Sequence, residues 1–188
     1  MQPDAVALLD GAQAVSYKEL NQRANTLARR LGESGLSRGG VALVRMERSA
    51  DLATVLLAVL KAGAAYTWIE PGSPNDIDIP ASFCIAQRRS GTDECYLAID
   101  IRSALAAAAA RLTANLPILT RGADIACVLP KGQGERQVLV AHETVTSMPA
   151  FPRRGTWLTE PGAFDLWIGL MSGETIAIES VPASTQAA

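Results

Sequence analysis

Residues 51–70, DLATVLLAVLKAGAAYTWIE, hold the stretch on which the fold turns. Ser49 and Asp51 stand at its front, and their side-chain oxygens suit the free amides of a helix start. The apolar run at 52–60 carries that helix to Lys61, and Gly63 stops it. Residues 64–69 then read as a buried extended segment ending at Pro71, and PGSPND at 71–76 is dense in turn formers. Upstream, VALVRM at 41–46 is a second short, β-branched apolar run. The order is therefore strand, helix, strand.

Working outward, SYKELNQRANTLARRLGESG at 16–35 opens with Ser16 and places Glu19 three positions later, the spacing of a reciprocal capping box. Leu20, Ala24, Leu27 and Leu31 follow at helical spacing, and Gly32 and Gly35 end the run. SFCIAQ at 82–87 and ECYLAI at 94–99 read as strands joined by the polar RRSGTD. SALAAAAARLTANL at 103–116 is alanine-rich and predicts a helix. ADIACVLP at 123–130 and QVLVAH at 137–142 read as strands joined by KGQGER, with a short helix at 164–171 and a closing strand at 174–180. Helices alternating with apolar strands predict an α/β layer architecture, a mainly parallel sheet flanked by helices. One domain over 1–180 and a disordered tail over 181–188 are expected.

Composition narrows the function classes. The chain has 188 residues, 48% of them apolar, and a formal charge of −2, which suits a globular domain with a sizeable core. Lys and Arg are scattered, so there is no footprint for a phosphate backbone and no nucleic-acid partner is expected. The run at 52–60 is far short of the roughly 20 residues a membrane span needs. The start, MQPDAVALLD, has no basic region before an apolar one, so a cytoplasmic setting is expected. Cys84, Cys95 and Cys127 are widely spaced, without a Cys-x-x-Cys pair, and are expected to be reduced thiols acting as small apolar residues. No metal or cofactor is expected.

Two long stretches carry a family resemblance. PDAVALLDGAQAVSYKELNQRANTLARRL at 3–31, followed by LLAVLKAGAAYTWIEP at 56–71, resembles the start of the adenylation domain of nonribosomal peptide synthetases, members of the acyl-CoA synthetase and luciferase superfamily of adenylate-forming enzymes. Val15, Ser16, Tyr17, Glu19 and Leu20 match the first core motif; Leu60, Lys61, Ala62, Gly63, Ala65 and Tyr66 match the second. Trp68 and Glu70 stand where the family usually has Pro and Asp. The resemblance implies the fold of the N-terminal subdomain of these enzymes, and in the family both motifs are structural.

In the family, chemistry rests on a later Gly-, Ser- and Thr-rich loop that holds ATP phosphates. The resemblance places that loop at PKGQGER, 130–136, which has no Ser or Thr. Gly132 and Gly134 permit a backbone nest, and Lys131 and Arg136 bring positive charge, so these four residues form a candidate vestigial phosphate loop. Asp165 in FDLWIGLM matches the carboxylate that commonly meets the substrate amino group, although Trp167 follows closely and no Glu follows it. A solvated Asp at a helix start is the competing reading. His142 lacks an evident nucleophile beside it. By the resemblance the ribose-binding Asp and the lid with its catalytic Lys fall beyond Ser180. These features together predict a truncated, degenerate and catalytically inactive adenylation-like domain, a structural or interaction element docking on condensation or carrier domains or pairing as a homodimer. The alternative is a small nucleotide- or amino-acid-binding protein or enzyme that retains part of the adenylation site. Trp157, Trp167 and Phe164 are expected to be partly exposed and to mark an interaction surface.

Overall fold

The computed structural model describes residues 2–71, 81, 83–86, 114–117, 120–130, 136–148, 156–157 and 163–178. Four expectations lie outside them: the strand at 94–99, the body of the alanine-rich helix at 103–113, the turn at 72–76 and the tail at 181–188. The end of that expected helix, residues 114–116, has no regular structure.

Strand β3 (Val41–Arg45), helix α2 (Ala50–Lys61) and strand β4 (Ala65–Ile69) form the expected unit, with β3 and β4 parallel and paired Val41 to Ala65 through Arg45 to Ile69. Ser49 Oγ accepts the Leu52 amide at 3.1 Å, and Asp10 Oδ2 adds a second cap by accepting the Ala50 amide at 2.9 Å. Gly63 lies at φ +82°, a conformation other residues adopt only with strain, so the chain turns there from helix to strand. Helix α2 is apolar on nearly every side because it packs against helix α1 (Tyr17–Glu33), against β4 and against strand β1 (Val6–Asp10). In α1 the burial follows the sequence spacing, with Leu20, Ala24, Leu27 and Leu31 inside.

Ser16 Oγ caps α1 by accepting the Glu19 amide at 3.1 Å. The reciprocal half of the box does not form: the Glu19 carboxylate pairs with Arg23 one turn on, and Ser16 is already the last residue of strand β2 (Gln13–Ser16). A full charge on the same helix face outcompetes a strand amide for that carboxylate.

The main sheet runs β5 (Phe83–Ala86), β3, β4, β6 (Ile125–Leu129), β7 (Val138–Ala141). The first four strands are parallel, and β7 returns antiparallel to β6 as a hairpin. Helix α3 (His142–Thr146) follows directly. A second, four-stranded sheet runs β2, β1, β9 (Ile176–Ile178), β8 (Thr156–Trp157), with β9 parallel to both β1 and β8. The sequence reading included β9 but not this sheet, because β1 and β2 are short and half exposed. Between β8 and β9 in sequence lies helix α4 (Phe164–Ser172), closed by Gly173 at φ +79°. No described helix is long and apolar enough to cross a membrane.

Of the cysteines, Cys127 is free and buried, as expected. Cys84 is disulfide-bonded, which corrects the expectation of a reduced thiol. Wide spacing in the sequence concealed it, because pairing depends on which residues the fold brings together.

Candidate functional site

Parallel strands send their following loops to one end of the sheet, and ligands of open α/β sheets bind outside those carboxyl ends. The candidate phosphate loop leaves β6 at that end. Its Lys131, Gly132 and Gly134 lie outside the described residues; Arg136 is described and exposed. The hairpin is closed just inside the loop, where the Gln137 side-chain amide donates to the Leu129 carbonyl.

At the base of the same hairpin Asp124 acts as an anchor. Its Oδ2 accepts from Arg38 Nη2 at 2.6 Å and Nε at 3.1 Å, and from the Arg121 amide at 2.9 Å. The Arg121 amide, and then the Arg38 guanidinium, hold its carboxyl below the usual range. The Asp124 carbonyl also accepts the His142 amide at 3.0 Å. His142 begins α3 with Nε2 buried and without a hydrogen-bond partner. Burial lowers its pKa from the ordinary 6.5, and the nearby Asp124 charge only partly opposes this. No nucleophile is hydrogen-bonded to the imidazole Nε2 among the described residues; the bond the structure shows for His142 is the one from its backbone amide to the hairpin.

That geometry has a pH consequence. With the folded pKa depressed, the unfolded chain binds the imidazole proton more readily. The stability held by neutral His142 is complete above the unfolded value of 6.5 and is lost as pH falls through the folded value. Denaturation midpoints measured between about pH 7.5 and 5.5 are expected to fall for the native chain. The His142→Asn variant is expected to show a shallower decline; an identical slope would remove His142 from the account.

Asp165 occupies the first turn of α4, directly after Ala163 at φ +57° and Phe164. Its Oδ2 is buried and has no hydrogen-bond partner, which departs from a solvated carboxylate at a helix start. A buried acceptor left unpaired costs roughly 1–3 kcal/mol, more when charged. Among the described residues Asp165 and Arg136 form no ion pair.

Trp167 corrects the expectation of an exposed aromatic surface. It is only 6% exposed, and its Nε1–H donates to Tyr66 Oη at 2.7 Å with the rings 6.3 Å apart at 49°. Phe164 is partly buried against the same core, and the Trp157 side chain lies outside the described residues. The Tyr66 hydroxyl is also hydrogen-bonded to Cys127; burial raises the Tyr66 pKa well above 10 and pushes the Cys127 thiol to about 12. From the first motif, Tyr17 Oη reaches the Glu174 carbonyl at 2.7 Å and the Leu170 carbonyl at 3.2 Å. Burial, with help from Glu174, raises its pKa. Both motif tyrosines therefore grip the α4–β9 segment. Sequence reading missed this role, although Tyr inside an apolar run signals a buried ring whose hydroxyl must find a partner.

At the exit of β4, Arg48 is clamped. Its Nη2 donates to Glu70 Oε1 at 2.7 Å and its guanidinium lies 5.4 Å from the Trp68 ring centroid, while Trp68 Nε1–H donates to the Met46 carbonyl at 2.9 Å. The two residues that depart from the family pattern, Trp68 and Glu70, are the two that hold Arg48.

A mainly parallel sheet under paired helices, with the hairpin between β6 and β7 at its carboxyl end, is the arrangement the sequence resemblance implied. Residues 1–77 match the family described as AMP-binding enzyme. The chain is 28% identical over 200 aligned positions to bacitracin synthase 1 of Bacillus licheniformis, an alignment covering 94% of this chain and 4% of that protein. It is 37% identical over 149 positions to the phosphinothricin tripeptide synthetase PhsB of Streptomyces viridochromogenes, covering 78% of this chain and 11% of the relative. The fold superposes on the NpsA-ThdA adenylation-PCP di-domain of Klebsiella oxytoca with a TM-score of 0.80 at 23% identity, over 98% of this chain and 38% of that one. On the Klebsiella oxytoca NpsA N-terminal subdomain bound to 3-hydroxyanthranilyl-AMSN it scores 0.77, again at 23% identity, over 96% of this chain and 51% of that one. The chain thus spans about half of that subdomain and a small part of the synthetases. By sequence and fold the chain is similar to the N-terminal portion of nonribosomal peptide synthetase adenylation domains.

Proposed function

We propose that this adenylation-derived segment is a structural and interaction element of a nonribosomal peptide synthetase assembly line, working in the cytoplasm, and that it forms no adenylate itself. One observation carries the reading. Strands β6 and β7 are kept as a paired hairpin, while residues 130–136 between them contain no hydroxyl side chain. Phosphoryl and adenylyl transfer depend on positioning and on charge stabilisation at the phosphates. A loop with backbone amides, the Gln133 amide and two cations partly offset by Glu135 supplies modest attraction for an anion without the hydroxyl donors that orient it.

The interaction side of the proposal rests on β7. Val138 and Leu139 are each 50% exposed and, being consecutive strand residues, face opposite sides of the sheet. A strand apolar on both faces is one meant for burial on both. β7 ends the described sheet, so a neighbouring condensation or carrier domain, or a second copy, is expected to cover it.

Asp165 favours a second reading, retention of amino-acid affinity, because its buried, unpaired Oδ2 is an acceptor suited to a cation such as an α-ammonium group. Calorimetry with ATP and with amino acids, beside an amino-acid-dependent pyrophosphate exchange assay, separates the two. No saturable ATP binding and no exchange above a protein-free control are expected. Exchange would overturn the proposal, and saturable amino-acid binding abolished by Asp165→Asn would establish the second reading in its place.

A further inference from the structure

At the pole of the main sheet opposite the glycine loop, the C-terminal end of α2 and the first turns of α1 meet residues 114–117 around a cleft of about 310 Å³. The position follows from topology. Lys61 precedes β4, whereas the loop follows β6, and β4 and β6 are parallel. The cleft is lined by Asn21, Lys61, Asn115 and Thr120 on its polar side and by Leu60, Leu116 and Pro117 on its apolar side.

Its polar wall is a built network. Lys61 Nζ donates to Asn21 Oδ1 at 2.8 Å, Asn21 Nδ2 donates to Asn115 Oδ1 at 2.9 Å, and the fully buried Asn25 donates to the same oxygen at 3.0 Å. Lys61 is half-buried, its pKa lowered by burial and then by the charge of Arg29, and it has no carboxylate partner among the described residues. A half-buried ammonium group beside an apolar wall is a charge that a ligand anion would relieve. Water would satisfy the ammonium group but not Leu60, Leu116 and Pro117.

We propose that this cleft is a second binding site, distinct from the glycine loop, for a small amphipathic carboxylate: the carboxylate against Lys61 and the free amide hydrogen of Asn21, the hydrocarbon part against Leu60, Leu116 and Pro117. Its volume lies at the low end of the roughly 300–1,000 Å³ of small-molecule sites, which limits the ligand to one ring or a short chain. The chemistry that selects is the pairing of one anionic end with one apolar end, so neither inorganic phosphate nor a neutral aromatic fits both walls.

The test is an NMR titration of the full chain with benzoate, following the side-chain amide signals of Asn21 and Asn115. Saturable shifts are expected in the low-millimolar range, since a ligand of so few atoms has a small binding free energy. Inorganic phosphate and benzyl alcohol are expected to bind at least about tenfold more weakly, Lys61→Gln and Leu116→Ser to weaken benzoate about tenfold, and Lys61→Arg to keep affinity within about threefold. Shifts that stay linear to about 20 mM, phosphate binding as tight as benzoate, or undiminished affinity in both Lys61→Gln and Leu116→Ser would each overturn the site. The two variants lie on opposite walls, so misfolding of one leaves the other as the test.

Discussion

Replacing Trp167 with Ala is expected to destabilise the chain by about 3–5 kcal/mol, the range for deleting a buried aromatic side chain. Trp167 is buried on α4, its ring packs on Tyr66, and its indole N–H is committed to the Tyr66 hydroxyl at 2.7 Å. The substitution removes the ring and also takes a donor from the hydroxyl of a tyrosine that is itself fully buried. Tyr66→Phe should cost less, about 1–3 kcal/mol, because the ring stays and only the hydroxyl goes, leaving the Trp167 N–H unsatisfied and removing the bond to Cys127. With Trp167→Phe as the second single change, the double variant is expected to cost less than the sum of the two, since removing both ends of a hydrogen bond orphans neither. Urea denaturation followed by circular dichroism gives the four values; a Trp167→Ala cost under about 1 kcal/mol would show that this packing does not hold α4 in place. Hydrogen exchange locates the effect. In Trp167→Ala the amides of Ile176–Ile178 should exchange faster than those of β3 and β4, because Tyr66 and Tyr17 attach the α4–β9 segment to the rest from two sides.

Why this attachment escaped a reading of the sequence, while the βαβ unit did not, is a matter of range. The unit at 41–69 is specified by local physics: Ser49 as cap, Gly63 at positive φ, and apolar runs at the right periods. Each acts within a few positions, so each is legible from neighbours. The Tyr66–Trp167 bond spans 101 positions and the Tyr17–Glu174 bond 157, and nothing local announces either partner. The same limit hid the four-stranded sheet, where β1 pairs with β9 from the far end of the chain. Site residues divide in the same way. The hydroxyl-free loop at 130–136 is plain in the sequence, because it is a statement about residue types. The burial of one Asp165 oxygen, and the clamp on Asp124 by Arg38 from 86 positions away, are statements about tertiary surroundings. Capping shows the limit at short range too: Glu19 satisfies the box spacing, yet Arg23 takes its carboxylate.

Glu70→Ala is expected to destabilise by about 2 kcal/mol, more than an ordinary surface ion pair would allow. The reason is the asymmetry of the pair. The Arg48 side chain is only 8% exposed, whereas Glu70 is 34% exposed, so removing the acid strands a guanidinium that water reaches poorly. Arg48 Nε already lacks a hydrogen-bond partner in its buried position, so the loss of Glu70 Oε1 falls on a cation that is under-satisfied at the start. The exposure of Glu70 keeps the figure below the roughly 3–5 kcal/mol of a fully buried pair. Arg48→Met should cost less than Glu70→Ala, because it removes the buried charge, keeps an apolar stem over the Trp68 ring, and leaves Glu70 free to meet water. Combining the two changes should recover part of the Glu70→Ala loss. Trp68→Leu is the further control: without the indole ring and its hydrogen bond to the Met46 carbonyl, Arg48 leans more heavily on Glu70, and the Glu70→Ala penalty should grow in that background. The order of the two single variants decides the matter. If Arg48→Met proves the more damaging, the guanidinium contributes through packing at the β3–α2 junction, and the charge clamp formed by the two residues that depart from the family pattern is not what holds the turn.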